Sequence, residues 1–348
     1  MAIQTVNNPA QRVGIIKGEI LAHAIPHEVL ATGMGNKAMP KNGGETISYR
    51  RWLPFGATAT NANTANRPSV DALAHLTQEG VTPAADTLVP QDVTVSMNQY
   101  ACLYAVTDKM MDLSEDGADI PGEIKQQVGE RMGLVREMVR YGALRGCTNV
   151  QYAGGTTRAT VDEKLTLPQL RKMTRTLKAN HAGMITSVLA PSPNFSTAPV
   201  EASYLVFAHT DLESDIRDLP NFKTTAEYGQ RKPVHELEIG SAEGFRFVLS
   251  ADLAPLVNTG AAPAGTGLQS TGGSNIDVYP VIVMAKDAAF EVALRGKNAL
   301  DPTWLPPGTK DKNDPLGQRG YAGAKFYSAA FVANNGWMGV IECGVTAL

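Results

Sequence analysis

The sequence has 348 residues, 31 of them basic and 34 acidic, for a net charge of −3. So near a balance argues against a protein organised around a nucleic-acid grip, which needs clustered Lys and Arg. At 43% hydrophobic residues the chain can bury a core and is not disordered, and it has no apolar run of about 18 residues that would predict a membrane helix.

Residues 1–44 read as an arm. Val13, Ile16, Ile20, Leu21 and Ala24 give one amphipathic helix within 11–33, interrupted at Pro26. The segment has little of its own to pack against, so it is expected to lie on another surface. No basic and then apolar leader precedes it, which predicts a soluble protein made in a cytoplasm.

Residues 45–106 predict a long hairpin. Its first extended run is 45–55 and its second is 87–107, where apolar and polar residues alternate with period two. About thirty residues rich in Ala, Asn, Thr and Pro join them, a length unusual inside a compact domain unless it serves a function. At ~3.3 Å per residue such a hairpin reaches tens of Å, and in isolation it is marginal in water. A partner surface is therefore expected.

The clearest helix is 119–147. Asp119 suits the cap, Pro121 the first turn, and Glu123 favours the positive end of the helix dipole. Ile124, Val128, Met132, Val135 and Val139 form one apolar stripe. A second helix is predicted near 167–181, with Arg171, Lys172, Arg175 and Lys178 on a basic face. Beyond it come strands near 204–209, 234–239, 245–250, 276–284, 288–294 and 325–343, with a short helix at 211–219. The Gly/Ser/Thr/Ala-rich stretch 257–275 reads as a mobile loop. The sum is an α+β body with an antiparallel-leaning sheet.

No catalytic constellation stands out. Cys102, Cys147 and Cys343 have neither disulfide nor zinc spacing and read as free thiols. His23 and His27 lack the rest of a metal motif, and Gly33-Met34-Gly35-Asn36-Lys37 lacks the Gly-Lys-Ser/Thr ending of a phosphate loop. The acidic groups at Asp108–Asp119 and Asp211–Asp218 do not have calcium-loop spacing. No enzyme activity, metal or cofactor is expected. Trp52, Trp304 and Trp337 fall in extended or Pro-rich stretches, where a contact role and a local-core role weigh about equally. An arm, a long hairpin and large loops without chemistry suggest a building block whose excess surface is covered by copies of itself.

Several motifs then carry a resemblance. They are Leu76–Pro83 leading to Gln99-Tyr100 and Thr107-Asp108, His209–Leu212 after a hydrophobic strand, Ile239-Gly240 with Gly244–Phe247, Tyr279-Pro280 running to Lys286–Phe290, and Asp314–Lys325. In this order and spacing, over about 45–346, the chain resembles the major capsid proteins of tailed bacteriophages, the group typified by the coliphage N-four shell protein.

The resemblance implies the Hong Kong 97 capsid fold. It divides the chain into an N-terminal arm 1–44, an extended loop 45–106, a peripheral domain 107–184 with spine helix 119–147, an axial domain 185–320, and C-terminal strands 321–348 returning to the peripheral domain. It further implies a virion shell of hexamers and pentamers, assembled in the host bacterial cytoplasm. The implied partners are a portal protein at one vertex, separate scaffolding and decoration proteins, and double-stranded DNA contacted non-specifically. A fused scaffold segment is not seen, and no motif supports a covalent crosslink through Lys297 or Asn298. The alternative reading is an encapsulin-like cellular compartment shell. Arg50, Arg51, Trp52, Arg67, Glu79, Tyr100, Trp304 and Arg319 are expected at contacts between subunits. Arg50, Arg51 and the 171–178 face are expected to pair with neighbouring acids such as Glu79, Glu115 and Asp116.

Overall fold

The computed structural model describes residues 28–55, 87–113, 120–189, 197–228, 233–263, 265–295, 301–310 and 314–348, with shorter stretches between 67 and 85. The predicted arm helix, the cap Asp119, the acids Glu115 and Asp116, and Lys297 and Asn298 lie outside these residues.

In chain order, β1 is Gly35–Met39, β2 Thr46–Trp52, β3 Pro90–Ser96, β4 Asn98–Thr107, α1 Asp108–Leu113 and α2 Ile120–Arg145. They are followed by β5 Val150–Tyr152, α3 Leu167–Ala179, β6 Ile185–Leu189, β7 Thr197–Ala208, α4 Glu213–Arg217, β8 Lys223–Thr224, β9 Glu238–Ala242 and β10 Phe245–Leu249. The chain closes with β11 Tyr279–Met284, β12 Ala289–Leu294, β13 Asp301–Leu305, β14 Arg319–Val332 and β15 Met338–Cys343.

The predicted spine is α2, which at 26 residues runs ~39 Å. Its two ends bury against different bodies. Near the N-terminal end, Val128 and Met132 pack on Ala322, Ala324 and Phe326 of β14. Near the C-terminal end, Tyr141 and Leu144 join Phe207, Met284 and Val340 in the central core. One long apolar stripe thus serves as the shared wall of two sheets.

The first sheet runs β1-β12-β14-β13, with β4 also on β14. The second runs β5-β15-β11-β7-β10-β9-β8, with β6 on β7. Most pairings are antiparallel, but β7 with β10, β5 with β15 and β1 with β12 are parallel. Strands β10, β11 and β15 are buried along their whole length, as expected where a sheet is covered on both faces. Helix α3 covers one of those faces with Leu170, Met173 and Leu177, and a Thr166–Gln169 capping box starts it.

Three expectations need correction. The extended run 87–107 is two strands meeting at Met97. β3 pairs with β2 in a two-stranded ribbon, whereas β4 leaves the hairpin and pairs with β14 over ten residues. The alternation continues through the break, so periodicity cannot show that the two halves have different partners. The run 325–343 likewise divides into β14 and β15, in different sheets, around a turn where Asn334 Oδ1 accepts from Gly336 N.

The third correction is the loop 257–275. Its described residues fold around the buried Asp277, whose carboxylate accepts from Asn258 N at 2.7 Å, Thr271 N at 2.8 Å and Thr271 Oγ1 at 2.6 Å. Gln269 N also donates to Val345 O at 2.8 Å. Low complexity removed the apolar anchors, but one buried carboxylate supplies the order instead.

Candidate assembly surface

The hairpin is held by its own side chains at the base and left open at its far end. Register pairs Arg50 with Asp92, Arg51 with Gln91 and Trp52 with Pro90. Arg50 Nε and Nη2 donate to the two oxygens of Asp92, each at 2.8 Å, and Arg51 Nε donates to Gln91 Oε1 at 2.8 Å. Tyr49 stacks on Phe331 of β14 with ring centroids 5.2 Å apart, and Val95 and Met97 are buried beside it. This contact fixes the base of the ribbon to the first sheet.

Beyond Tyr49 the apolar side chains face solvent. Among the described residues, thirteen large hydrophobic side chains are exposed, and seven lie between positions 52 and 89: Trp52, Phe55, Leu73, Leu76, Val81, Leu88 and Val89. Scattered exposed hydrophobics are ordinary, but such a concentration on one excursion marks a contact surface. A second, smaller group sits at the end of the first sheet, where Leu113, Leu305 and Leu316 are exposed near the paired ends of β4 and β14.

The residues singled out from the sequence divide into three kinds. Trp52 is 57% exposed and Glu79 is exposed, both on the hairpin, and Arg319 is exposed at the start of β14. Arg50, Arg51 and Arg67 are engaged within the chain, Arg67 through Nε to Asn180 Oδ1 at 3.2 Å. Tyr100 stacks on Phe326 at 5.6 Å, and Trp304 packs beneath the N-terminal half of α2 with Lys125 Nζ 4.9 Å above its ring. Trp337 belongs to the core and donates from Nε1 to Asn180 O. On α3, Arg171 pairs with Glu243 of the same chain, its Nε donating at 2.9 Å.

Sequence reasoning missed the feature that ties the root of the arm to the spine. Glu137 Oε1 accepts from the main-chain N–H groups of Val29 at 2.8 Å and Leu30 at 2.7 Å, capping the short 3-10 turn Leu30–Thr32 from another element. One turn on, Arg140 Nη1 contacts Glu137 and Glu28, while Nη2 reaches Glu291 on β12 at 2.8 Å. Arg136 Nε donates to the other Glu291 oxygen at 2.7 Å. Burial works against the Arg140 charge, but the attraction of Glu291 and the hydrogen bond to Glu28 outweigh it and raise its pKa. Burial likewise opposes ionisation of Glu291, yet the bond from Arg136 and the charge of Arg140 hold its carboxyl below the ordinary range. The i, i+1 and i, i+4 spacing of Arg136, Glu137 and Arg140 was visible, but it reads as a solvated face until the arm and β12 are placed against it.

Nothing in this arrangement is suited to bond chemistry. Among the described residues no group of three or more His, Cys, Asp or Glu side chains could hold a metal ion. Burial raises the Cys147 thiol to about 11 and pushes the Cys343 thiol up further.

The comparisons with known proteins point the same way. No protein-family model matches the chain. The major capsid protein of Pseudomonas phage KPP21 is 21% identical over 267 residues, which is 71% of this chain and 66% of that protein, just under two thirds of its length. The capsid of Ralstonia phage GP4 superposes with a TM-score of 0.62 at 11% identity, covering 100% of this chain and 99% of that one. The capsid of cyanophage Pam1 gives 0.59 at 12% identity, with 100% of both chains covered. This is a phage capsid fold. The Hong Kong 97-type α+β architecture read from the sequence is borne out, including the long helix that links the two sheets of the capsid fold. Within it, the exposed apolar side chains sit on the hairpin and at the end of the first sheet, away from the buried cores.

Proposed function

We propose that this chain is the major capsid protein of a tailed double-stranded DNA phage, assembling as hexamers and pentamers into the icosahedral shell of the virion. One observation carries the reading beyond the fold. The hairpin presents seven large exposed hydrophobics and is anchored to its own body only at Tyr49 and Met97. A monomer in water gains nothing from such a surface, whereas many copies covering one another would bury it repeatedly.

Assembly takes place in the host bacterial cytoplasm, with a portal at one vertex and separate scaffolding and decoration proteins. The near-neutral charge suits an inner wall that meets packaged DNA without gripping it. The reading is tested by electron microscopy of the purified chain over a range of salt concentrations, alone and with its scaffolding protein. Closed shells, tubes or six-fold rings are expected. A stable monomer or dimer in every condition, scaffold included, refutes it.

A further inference from the structure

One cavity in the described residues has no role in the core. About 550 Å³ in volume, it opens between the base of the hairpin and the body, with Trp52, Pro54, Phe290 and Trp337 among its walls. Asn180 also lines it and is fully buried. Its Oδ1 accepts from Arg67 Nε, which fixes the orientation of the amide, and its main-chain oxygen accepts from Trp337 Nε1. Its Nδ2 has no partner. A buried amide donor left unpaired is costly, so an apolar pocket holding one is complete only when an occupant brings a hydrogen-bond acceptor together with apolar bulk.

The same chain carries a matching projection. Leu73–His75 is a single 3-10 turn ended by Leu76, and Leu73 and Leu76 are 80% and 75% exposed. Residues three apart on such a turn lie on one face, so the two leucines point the same way. The turn ends in extended backbone at Leu76, where main-chain oxygens can accept. It does not enter its own cavity: both leucines remain in solvent, and His75 rests against Phe55 with ring centroids 5.5 Å apart. A projection and a recess at different places on one chain make a heterologous contact, the kind that closes copies into a ring.

We propose that the Leu73–Leu76 turn of one copy seats in the Trp52–Trp337 cavity of the next, with its leucines filling the pocket and a main-chain oxygen accepting from Asn180 Nδ2. This rests on the shell reading and specifies one of its contacts.

The test mixes two single-cysteine variants, Leu76→Cys and Ala333→Cys, the latter in the cavity wall. Particles assembled from the mixture are treated with a short bis-maleimide and dissolved. A covalent dimer of twice the 37.0 kDa chain is expected, at least tenfold above that from particles of either variant alone. Trp52→Cys, at the exposed rim, serves as a second receiving position should Ala333→Cys fail to fold. Particles that give no dimer above the single-variant background at either position overturn the proposal. So does a doubly substituted chain that closes its crosslink within one monomer, which would show that the turn fills its own cavity. Failure of the unsubstituted chain to form particles at all would instead bring down the shell reading, and this contact with it.

Discussion

Arg140 Nη2 and Glu291 Oε2 lie 2.8 Å apart, with no more than 4% of either side chain exposed. This pair joins the spine helix to strand β12 and sits between Arg136, Glu137 and Glu28. Removing one side of a buried pair strands the charge on the other. Arg140→Ala leaves Glu137 and Glu291 buried with half their partners and is expected to destabilise the chain by about 3–5 kcal/mol. Urea unfolding followed by circular dichroism checks this. A loss below about 1 kcal/mol would mean that water reaches the site and the pair adds little.

Acid should weaken the same joint. The folded chain holds Glu291 below its ordinary value of 4.5 and Asp215 below 3.8. The unfolded chain therefore takes up protons first as the pH falls. The stabilisation is fully present above these ordinary values and is lost as the pH drops through the lower folded ones. Stability at pH 6 should exceed that at pH 3, and Glu291→Gln should flatten the slope between them. A slope unchanged in that variant places the acid sensitivity elsewhere.

Gly240 tests the packing of the second sheet. A Cβ there would meet Lys223 O and the Phe222 ring, each at 2.3 Å. The backbone oxygen cannot swing aside, so Gly240→Ala should force a shift in β8 and β9 costing about 1–3 kcal/mol. Gly122→Ala is the control, because nothing lies within 4 Å of its added carbon. A melting temperature for Gly240→Ala equal to that of the control would show that the two strands give way freely.

Trp52 separates folding from assembly. At 57% exposed it contributes little to the monomer, so Trp52→Ala should leave the melting temperature within about 2 °C of the parent, as for a surface change below ~0.5 kcal/mol. Particle yield, read by light scattering and microscopy, should fall at least tenfold if the indole is a contact anchor. Full yield would exclude it from the subunit interface.

The sequence by itself determined the local elements and the kind of protein. Pro121, Glu123 and an apolar stripe located the spine to within two residues at each end, and the Thr166 capping box started α3 one residue from where it was expected. These are local signals, set by caps, dihedral limits and helical period. The same alternation that announced the hairpin ran unbroken through Met97, and so hid the exchange of partners from β2 to β14. Tertiary structure also decided which charges count. Arg136, Glu137 and Arg140 look like any exposed helix face in sequence, yet Val29, Leu30 and Glu291 close over them and turn them into a buried joint. Asp277 stands in a stretch of low complexity and nevertheless orders the loop before it. Period and capping act over a few residues and can be read along the chain. Strand partnership and charge burial join positions up to 155 residues apart, as in Arg136 to Glu291, and depend on which surfaces the fold brings together.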